Sequence, residues 1–207
     1  NGRRSTGGFF YRRITELIDL ISGLDIDILI FIQNSVRTPL LTAIFGFFSI
    51  ICNKGFIWLF LTAVFLLNKS TRALGIRLLL CVALSWVISD LVLKITVERT
   101  RPFDYIDGLS NGLKRFADAN SYSFPSGHST SSFAAAFCIC RYAKRKGWLI
   151  YFPASMIALS RVYLGVHHPS DIIAGVLIGT TGAFIVCIVT DYLCKRKFKR
   201  QNHGLEE

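Results

Sequence analysis

The chain has 207 residues, 52% of them hydrophobic and only 18% charged, with a formal net charge of +11 and a mean hydropathy of +0.45. Soluble domains carry about a quarter charged residues. Here the stretches 56–68, 78–93, 148–159 and 172–189 are almost free of charge, which excludes a soluble globular enzyme and indicates a multi-span membrane protein.

Size allows a single domain over residues 1–207, because five or six spans of about 20 residues each would use most of the chain. The positive charge does not indicate nucleic acid. Twelve of the 24 Lys and Arg fall in three short clusters, Lys69/Arg72/Arg77, Arg141/Lys144/Arg145/Lys146 and Lys195/Arg196/Lys197/Lys199/Arg200. That placement matches cytoplasmic loops under the positive-inside rule. The six cysteines (Cys52, Cys81, Cys138, Cys140, Cys187, Cys194) show no zinc or disulfide spacing and read as small hydrophobes. No signal peptide is visible and the first residue is not Met, which fits a trimmed start and an appended Leu205-Glu206-Glu207 tail.

In chain order, residues 9–36 read as helical but poorly suited to spanning, since Glu16, Asp19, Asp25 and Asp27 would each cost about 2.5–3.5 kcal/mol near the bilayer centre. One or two interfacial amphipathic helices are expected there, although Arg3, Arg4, Arg12 and Arg13 would also suit a cytoplasmic N-terminus and a sixth span. Five spans are favoured. The first lies within 40–68, interrupted at Asn53-Lys54-Gly55, a break placed near the outer end because a mid-membrane lysine needs a partner. The others are 73–97, 124–143, 148–166 and 170–194. With the basic clusters inside, segments 98–123 and 161–171 face outward, and the unusual polar residues collect in them.

Three groups of residues share that outer face. They are Lys94 with Arg101-Pro102, then Ser123-Phe124-Pro125-Ser126-Gly127-His128-Ser129, then Ser160-Arg161 with His167 and Asp171. Lys94, Arg101 and Arg161 supply three cations. Pro125 suits a first helical turn, and Ser126-Gly127 lets backbone N–H groups approach an anion. Together these describe a phosphate cradle that can stabilise charge developing on phosphoryl oxygens. Asp171, four residues after His167, can hold one imidazole N–H and leave the other nitrogen nucleophilic. His128 can protonate the leaving oxygen, and the reaction would pass through a phosphohistidine.

The three groups form KX6RP, PSGH and SRX5HX3D, and they resemble the signature of the type 2 phosphatidic acid phosphatase (PAP2) superfamily at every defining position. The resemblance covers 94–171 directly and, through the helical layout, about 25–194. It implies an all-α integral membrane bundle of about five spans plus an N-terminal interfacial helix, with a core like that of PAP2 and haloperoxidase proteins. It further implies His167 as nucleophile, Asp171 as its orienting partner and His128 as acid, with Lys94, Arg101, Ser126, Gly127 and Arg161 binding phosphate. No metal or cofactor is expected.

The implied substrate is a membrane lipid phosphate or pyrophosphate of the phosphatidylglycerophosphate, phosphatidic acid, diacylglycerol pyrophosphate or undecaprenyl pyrophosphate type. It would be hydrolysed on the extracytoplasmic side of the cell membrane, without an obligate protein partner. Gly127 stands where the undecaprenyl pyrophosphatases linked to bacitracin resistance often carry Asp. A phosphotransferase using the same histidine is the nearer alternative, and a non-catalytic transporter the remoter one. Of the remaining polar residues, His168 matches no motif position and reads as structural, and Glu98 reads as a local partner of Lys94. Asp90 pairs with Lys94 at i,i+4, either to ease burial of both or to aim the lysine. The aromatics Phe45, Phe47, Phe48, Trp58, Phe60 and Trp86 read as lipid-facing or core residues, and Trp148 and Tyr151 as an interfacial belt.

Overall fold

The computed structural model describes residues 6–106, 109, 116, 121–143 and 146–203, with backbone alone for 6–11 and 198–203. Arg3, Arg4, Lys144, Arg145, the side chains of Lys199 and Arg200, the Leu205-Glu206-Glu207 tail and most of the 107–120 segment lie outside the described residues.

All described regular structure is helical. Helix α1 (Thr6–Phe31) runs into a π-helical turn, Ile32–Val36. Helix α2 (Pro39–Ile51) starts where the Thr38 side chain accepts the Leu41 amide and Pro39 occupies the first turn. A short turn, Asn53–Gly55, separates it from α3 (Phe56–Leu67). Helix α4 (Arg72–Trp86) continues through a π-helical stretch, Val87–Leu93, into the short α5 (Lys94–Val97). Then follow α6 (Gly127–Tyr142), α7 (Tyr151–Tyr163) and α8 (Pro169–His203).

Helix α6 is the centre of the bundle. Many of its residues are small (Ser129, Ser131, Ser132 and Ala134–136), and these six are buried where α6 packs against α4, α7 and α8. Gly179 of α8 makes the closest approach, since a Cβ there would stand 2.1 Å from the Thr130 carbonyl oxygen. Such small-residue faces allow helices in a bilayer to pack backbone to backbone. The buried hydroxyl of Ser132 accepts the indole N–H of Trp58 at 3.0 Å. The thiols of Cys81, Cys138 and Cys187 lie within 4.8 Å of one another in the same core. All six cysteines are unpaired.

Two helical stretches, Arg72–Asp104 and Pro169–Lys197, are long and apolar enough to cross a membrane, and the pair α2 plus α3, bent by 42°, counts as a third if taken as one span. Of the remaining expected spans, 124–143 corresponds to α6 with 16 residues and 148–166 to α7 with 13, both short of the about 20 a crossing requires. Helix α6 presents little surface to lipid and so needs no continuous apolar run. The N-terminal segment is one continuous helix rather than two. It docks on the bundle through Asp25, which is 3% exposed.

The ends of α8 fix the polarity of the bundle. At one end Asp191 receives Arg77 of α4 at 3.3 Å and Arg141 of α6 at 3.1 Å, one arginine from each of the first two basic clusters. Asp171 stands twenty residues earlier on the same helix, about 30 Å away at 1.5 Å per residue. The three motif regions lie at that opposite end.

Candidate active site

His167 sits just beyond α7 in a tight turn. Gly165 takes φ +67°, and the amides of Val166 and His167 both donate to the Arg161 carbonyl. Positive φ is cheap only for glycine, and here it turns the chain so that His167 lies beside Arg101. The ring is 3% exposed. Its Nδ1 stands 3.4 Å from Ser123 Oγ and 3.6 Å from Asp171 Oδ2, while Nε2 stands 3.4 Å from Arg101 Nη1. Burial draws the His167 imidazole down to about 3 from its ordinary 6.5; Arg101 and Arg161 act in the same direction and Asp171 opposes them. The ring is therefore neutral at physiological pH.

Asp171 is completely buried and more heavily used than its spacing to His167 suggested. Its Oδ2 accepts from Ser123 Oγ at 2.5 Å, the His168 amide at 2.9 Å and His168 Nδ1 at 3.1 Å, and its Oδ1 accepts from Arg99 Nη1 at 2.6 Å. The carboxylate is thus nearer to His168 than to His167. His168 completes its own bonding through Nε2 to the Tyr105 hydroxyl at 2.7 Å, which fits the structural role expected of it. Arg99 also reaches Asp25 Oδ2 at 2.7 Å. Asp25 in turn accepts the Ser170 amide at 2.9 Å and the Ser170 hydroxyl. Helix α1 therefore forms the outer wall of the Asp171 environment.

Sequence reasoning missed this Asp25–Arg99–Asp171 chain. The available signals were an arginine inside the KX6RP interval and one of four acids in the 9–36 stretch. Ser123 and Ser49 were missed as well, and for Ser49 no sequence signal exists.

Lys94, Arg101, Arg161, Gly127, His128 and His167 all line one cavity of about 840 Å³. Arg101 is 4% exposed and Arg161 2%. Arg101 donates to the Ser121 carbonyl, the Ser121 hydroxyl and the Val166 carbonyl at 2.7–2.8 Å. Arg161 donates to the Ser49 hydroxyl and, at 2.8 Å, to the Phe116 carbonyl, and its Nε has no partner among the described residues. Burying the Arg161 guanidinium with no carboxylate among the described residues is costly unless an anion is there to be bound.

Ser126 is placed differently from the rest. Its hydroxyl caps α6, accepting from the Ser129 amide and hydroxyl, and it is fully buried outside the cavity lining. Gly127, the first residue of α6, does face the cavity, so the helix N-terminus contributes through its backbone.

His128 Nε2 lies 3.2 Å from the Ser49 carbonyl. A carbonyl only accepts, so Nε2 carries the hydrogen and Nδ1 remains for proton transfer. Asp90 resolves as the direct partner of Lys94, with Ser89 Oγ donating to its other oxygen at 2.6 Å. A Cβ on Gly127 would stand 3.1 Å from that same oxygen, so glycine lets the acid–lysine pair press against the α6 terminus. The Glu98 amide donates to the Lys94 carbonyl at 3.1 Å and closes the short α5, while the Glu98 carboxylate faces the Tyr122 hydroxyl.

The lining of the same cavity also includes the apolar residues Leu59, Leu79, Val82 and Trp86. Fold and site together define a membrane-embedded helical protein with a buried cationic cradle, a neutral histidine at its side and a partly apolar lining. A model of the PAP2 superfamily matches residues 74–194, and the chain belongs to that superfamily.

It is 31% identical over 133 residues to an undecaprenyl-diphosphatase of Sulfolobus acidocaldarius, a match covering 64% of this chain and 63% of that protein. It is 26% identical over 197 residues to a lipid A 4'-phosphatase of Bacteroides thetaiotaomicron, covering 87% of this chain and 83% of the other. The chain thus spans just under two thirds of the archaeal relative. Among solved structures, the PAP2-type phosphatidylglycerolphosphate phosphatase of Bacillus subtilis superposes with a TM-score of 0.69 at 22% identity, covering 89% of this chain and 94% of that one. That likeness establishes the PAP2 transmembrane fold.

Proposed function

We propose that the protein is a metal-independent membrane phosphatase that hydrolyses a lipid phosphomonoester or pyrophosphate through a phosphohistidine on His167, acting as one membrane-embedded unit. The observation that carries this reading is the convergence of two buried guanidiniums and a buried neutral imidazole on a cavity that is also lined by apolar residues. A lipid phosphate has this polarity, with an anionic head and an apolar tail. The names of the relatives, which concern lipid diphosphates and lipid A phosphates, support the same class of substrate.

The phosphoryl oxygens sit between Arg101, Arg161, Lys94 and the α6 N-terminus, which stabilise the charge of the transition state. His167 Nε2 attacks phosphorus, and its Nδ1 hydrogen faces Ser123 and Asp171, which tighten on the ring as it becomes cationic. The bond from phosphorus to the leaving oxygen breaks, and His128, entering this step as imidazolium, donates its Nδ1 proton to that oxygen. Water then attacks the phosphohistidine and gives its proton to the now neutral His128 Nδ1, so that inorganic phosphate is released, His167 returns to its neutral state and His128 is reloaded. The site faces the extracytoplasmic side, since it lies opposite the Arg77/Arg141 end.

The test is release of free phosphate by the detergent-purified full chain from a panel of lipid phosphates, with EDTA present and no added metal. Release that disappears in His167→Ala is the expected result. Release that persists at the wild-type rate contradicts the assignment, and phosphorylated acceptor lipid without matching free phosphate identifies a phosphotransferase instead.

A further inference from the structure

The acids of α1 do not share one environment. Glu16 pairs with Arg12 on the exposed surface, Asp19 and Asp27 are exposed, and Asp25 is buried. Asp25 lies on one face of the helix with Ser22, Ile26 and Leu29, the spacing of a docking stripe. Leu29, one turn on, is fully buried in a cluster with Ala158, Val162 and Ile172. Helix α1 is therefore seated against the first turn of α8 by an apolar side chain and a carboxylate. The superfamily match begins at residue 74, so this carboxylate comes from outside the matched region.

Asp25 meets α8 at its start. Its Oδ1 accepts the Ser170 amide at 2.9 Å, one of the N–H groups that a helix leaves unpaired in its first turn. Its Oδ2 accepts Arg99 Nη2 at 2.7 Å and the Ser170 hydroxyl. The other arm of the guanidinium, Nη1, reaches Asp171 Oδ1 at 2.6 Å and Ser170 Oγ at 2.7 Å. One arginine thus bridges two carboxylates, and of the two Asp171 is the one that faces His167. Charge decides what the bridge does. Attack on phosphorus makes the His167 ring cationic, and a carboxylate behind the ring stabilises that form. An arginine given wholly to Asp171 would cancel that carboxylate. With two carboxylates on one guanidinium, one negative charge remains in the group.

We propose that Asp25 is a positioning residue for His167. By taking half of the Arg99 fork it holds Asp171 in place and preserves the negative charge behind the nucleophile, which makes α1 part of the active site. The proposal rests on the phosphatase reading above.

The test measures kcat and KM for phosphate release by the full chain in detergent, for wild type, Asp25→Asn and the double variant Asp25→Asn/Arg99→Gln. The probes are dioleoyl phosphatidic acid and farnesyl diphosphate, and the one that wild type hydrolyses faster is used. In Asp25→Asn, kcat should fall by about tenfold or more, the scale of a group that orients another. KM should stay within about threefold, because Lys94, Arg101 and Arg161 are untouched. Adding Arg99→Gln removes the cancelling cation and restores one negative charge behind the ring, so kcat should recover by about threefold or more. A merely structural role gives no recovery, since the second change removes further bonds. A fall of less than about tenfold in Asp25→Asn, a rise in KM with kcat kept, or no recovery in the double variant overturns the proposal. If Asp25→Asn does not fold, the double variant decides alone: kcat below about a hundredth of wild type overturns the proposal, and a higher value supports it. Failure of the underlying reading gives a different result: neither probe is hydrolysed by the wild type, or His167→Ala retains its activity.

Discussion

Helix α8 carries an aspartate near each end, each bound by arginine, and the two sites differ in nearly every physical respect. Asp171 has no exposed side-chain surface, accepts from Ser123, Arg99 and twice from His168, and faces His167. Asp191 is 27% exposed and holds Arg77, Arg141 and the Tyr142 hydroxyl at the basic end. The residue type and the arginine partner are the same, and burial is the largest difference between them. Inside the bundle, loss of one partner leaves charge without solvent to take it up; at the basic end, water and headgroups can replace any contact.

The widest separation should appear in the matched pair Asp171→Asn and Asp191→Asn. For Asp171→Asn, kcat for phosphate release should fall roughly 10³- to 10⁴-fold, the scale seen when the acid behind a catalytic histidine loses its charge. The same change takes one of its two carboxylates from Arg99, which keeps Asp25, so stability should drop by about 1–3 kcal/mol, measured by thermal or denaturant unfolding in detergent. A mild effect on both readouts would place the important partner of His167 elsewhere, with Ser123 the first candidate.

Acid titration adds a second contrast, because the site end holds a histidine that titrates abnormally. Burial, reinforced by Arg101 and Arg161, keeps the folded-state value of His167 near 3, below the 6.5 of an unfolded chain. Between those values the unfolded state binds more protons, so His167 contributes stability that is complete above about pH 6.5 and is lost as pH falls toward 3. His167→Gln should therefore show a shallower decline of Tm over that acid range than wild type. Parallel curves for His167→Gln and wild type would show that the ring is not held neutral by the fold.

A smaller effect is expected at Asp90, which holds Lys94 against the α6 terminus without facing the His167 ring. Asp90→Asn should reduce kcat/KM by about tenfold through misplacement of the lysine. Its pH profile should keep the wild-type shape, since no proton-transferring group is removed. The smallest effect belongs to Asp191→Asn itself. Its stability should change by less than about 1 kcal/mol, as for exposed ion pairs, with kcat unaltered.

The same contrast explains how much the sequence reveals. Lys94, Arg101, His128, Arg161, His167 and Asp171 are legible because each stands at a helix terminus with a chemistry that an apolar chain does not retain cheaply, and all six lie at one end of the bundle. Arg99 and Asp25 are not legible as a pair, because a contact between α1 and the segment before Pro102 depends on how α1 docks, which local pattern does not encode. Asp25 registers in the sequence only as an insertion penalty; in the fold that penalty is removed by Arg99 and Ser170. The spans show a similar limit. Hydropathy identifies α4 and α8, but α6 is serine- and alanine-rich because its neighbours enclose it, and a window that looks for lipid-facing helices reads such an element poorly. Ser126 shows that a motif can include a residue for folding as well as for chemistry, since its hydroxyl caps the helix that presents Gly127.

The most direct test of the central claim is to trap the covalent intermediate. The full chain in detergent would be mixed with a ³²P-labelled lipid phosphate, quenched within the first turnovers, and mapped by mass spectrometry under alkaline conditions that preserve phosphohistidine. The account predicts an acid-labile phosphoryl group on His167, absent from His167→Ala and reduced in rate of formation in Asp171→Asn. Label on His128 or His168, or turnover that continues with no labelled histidine, would contradict it.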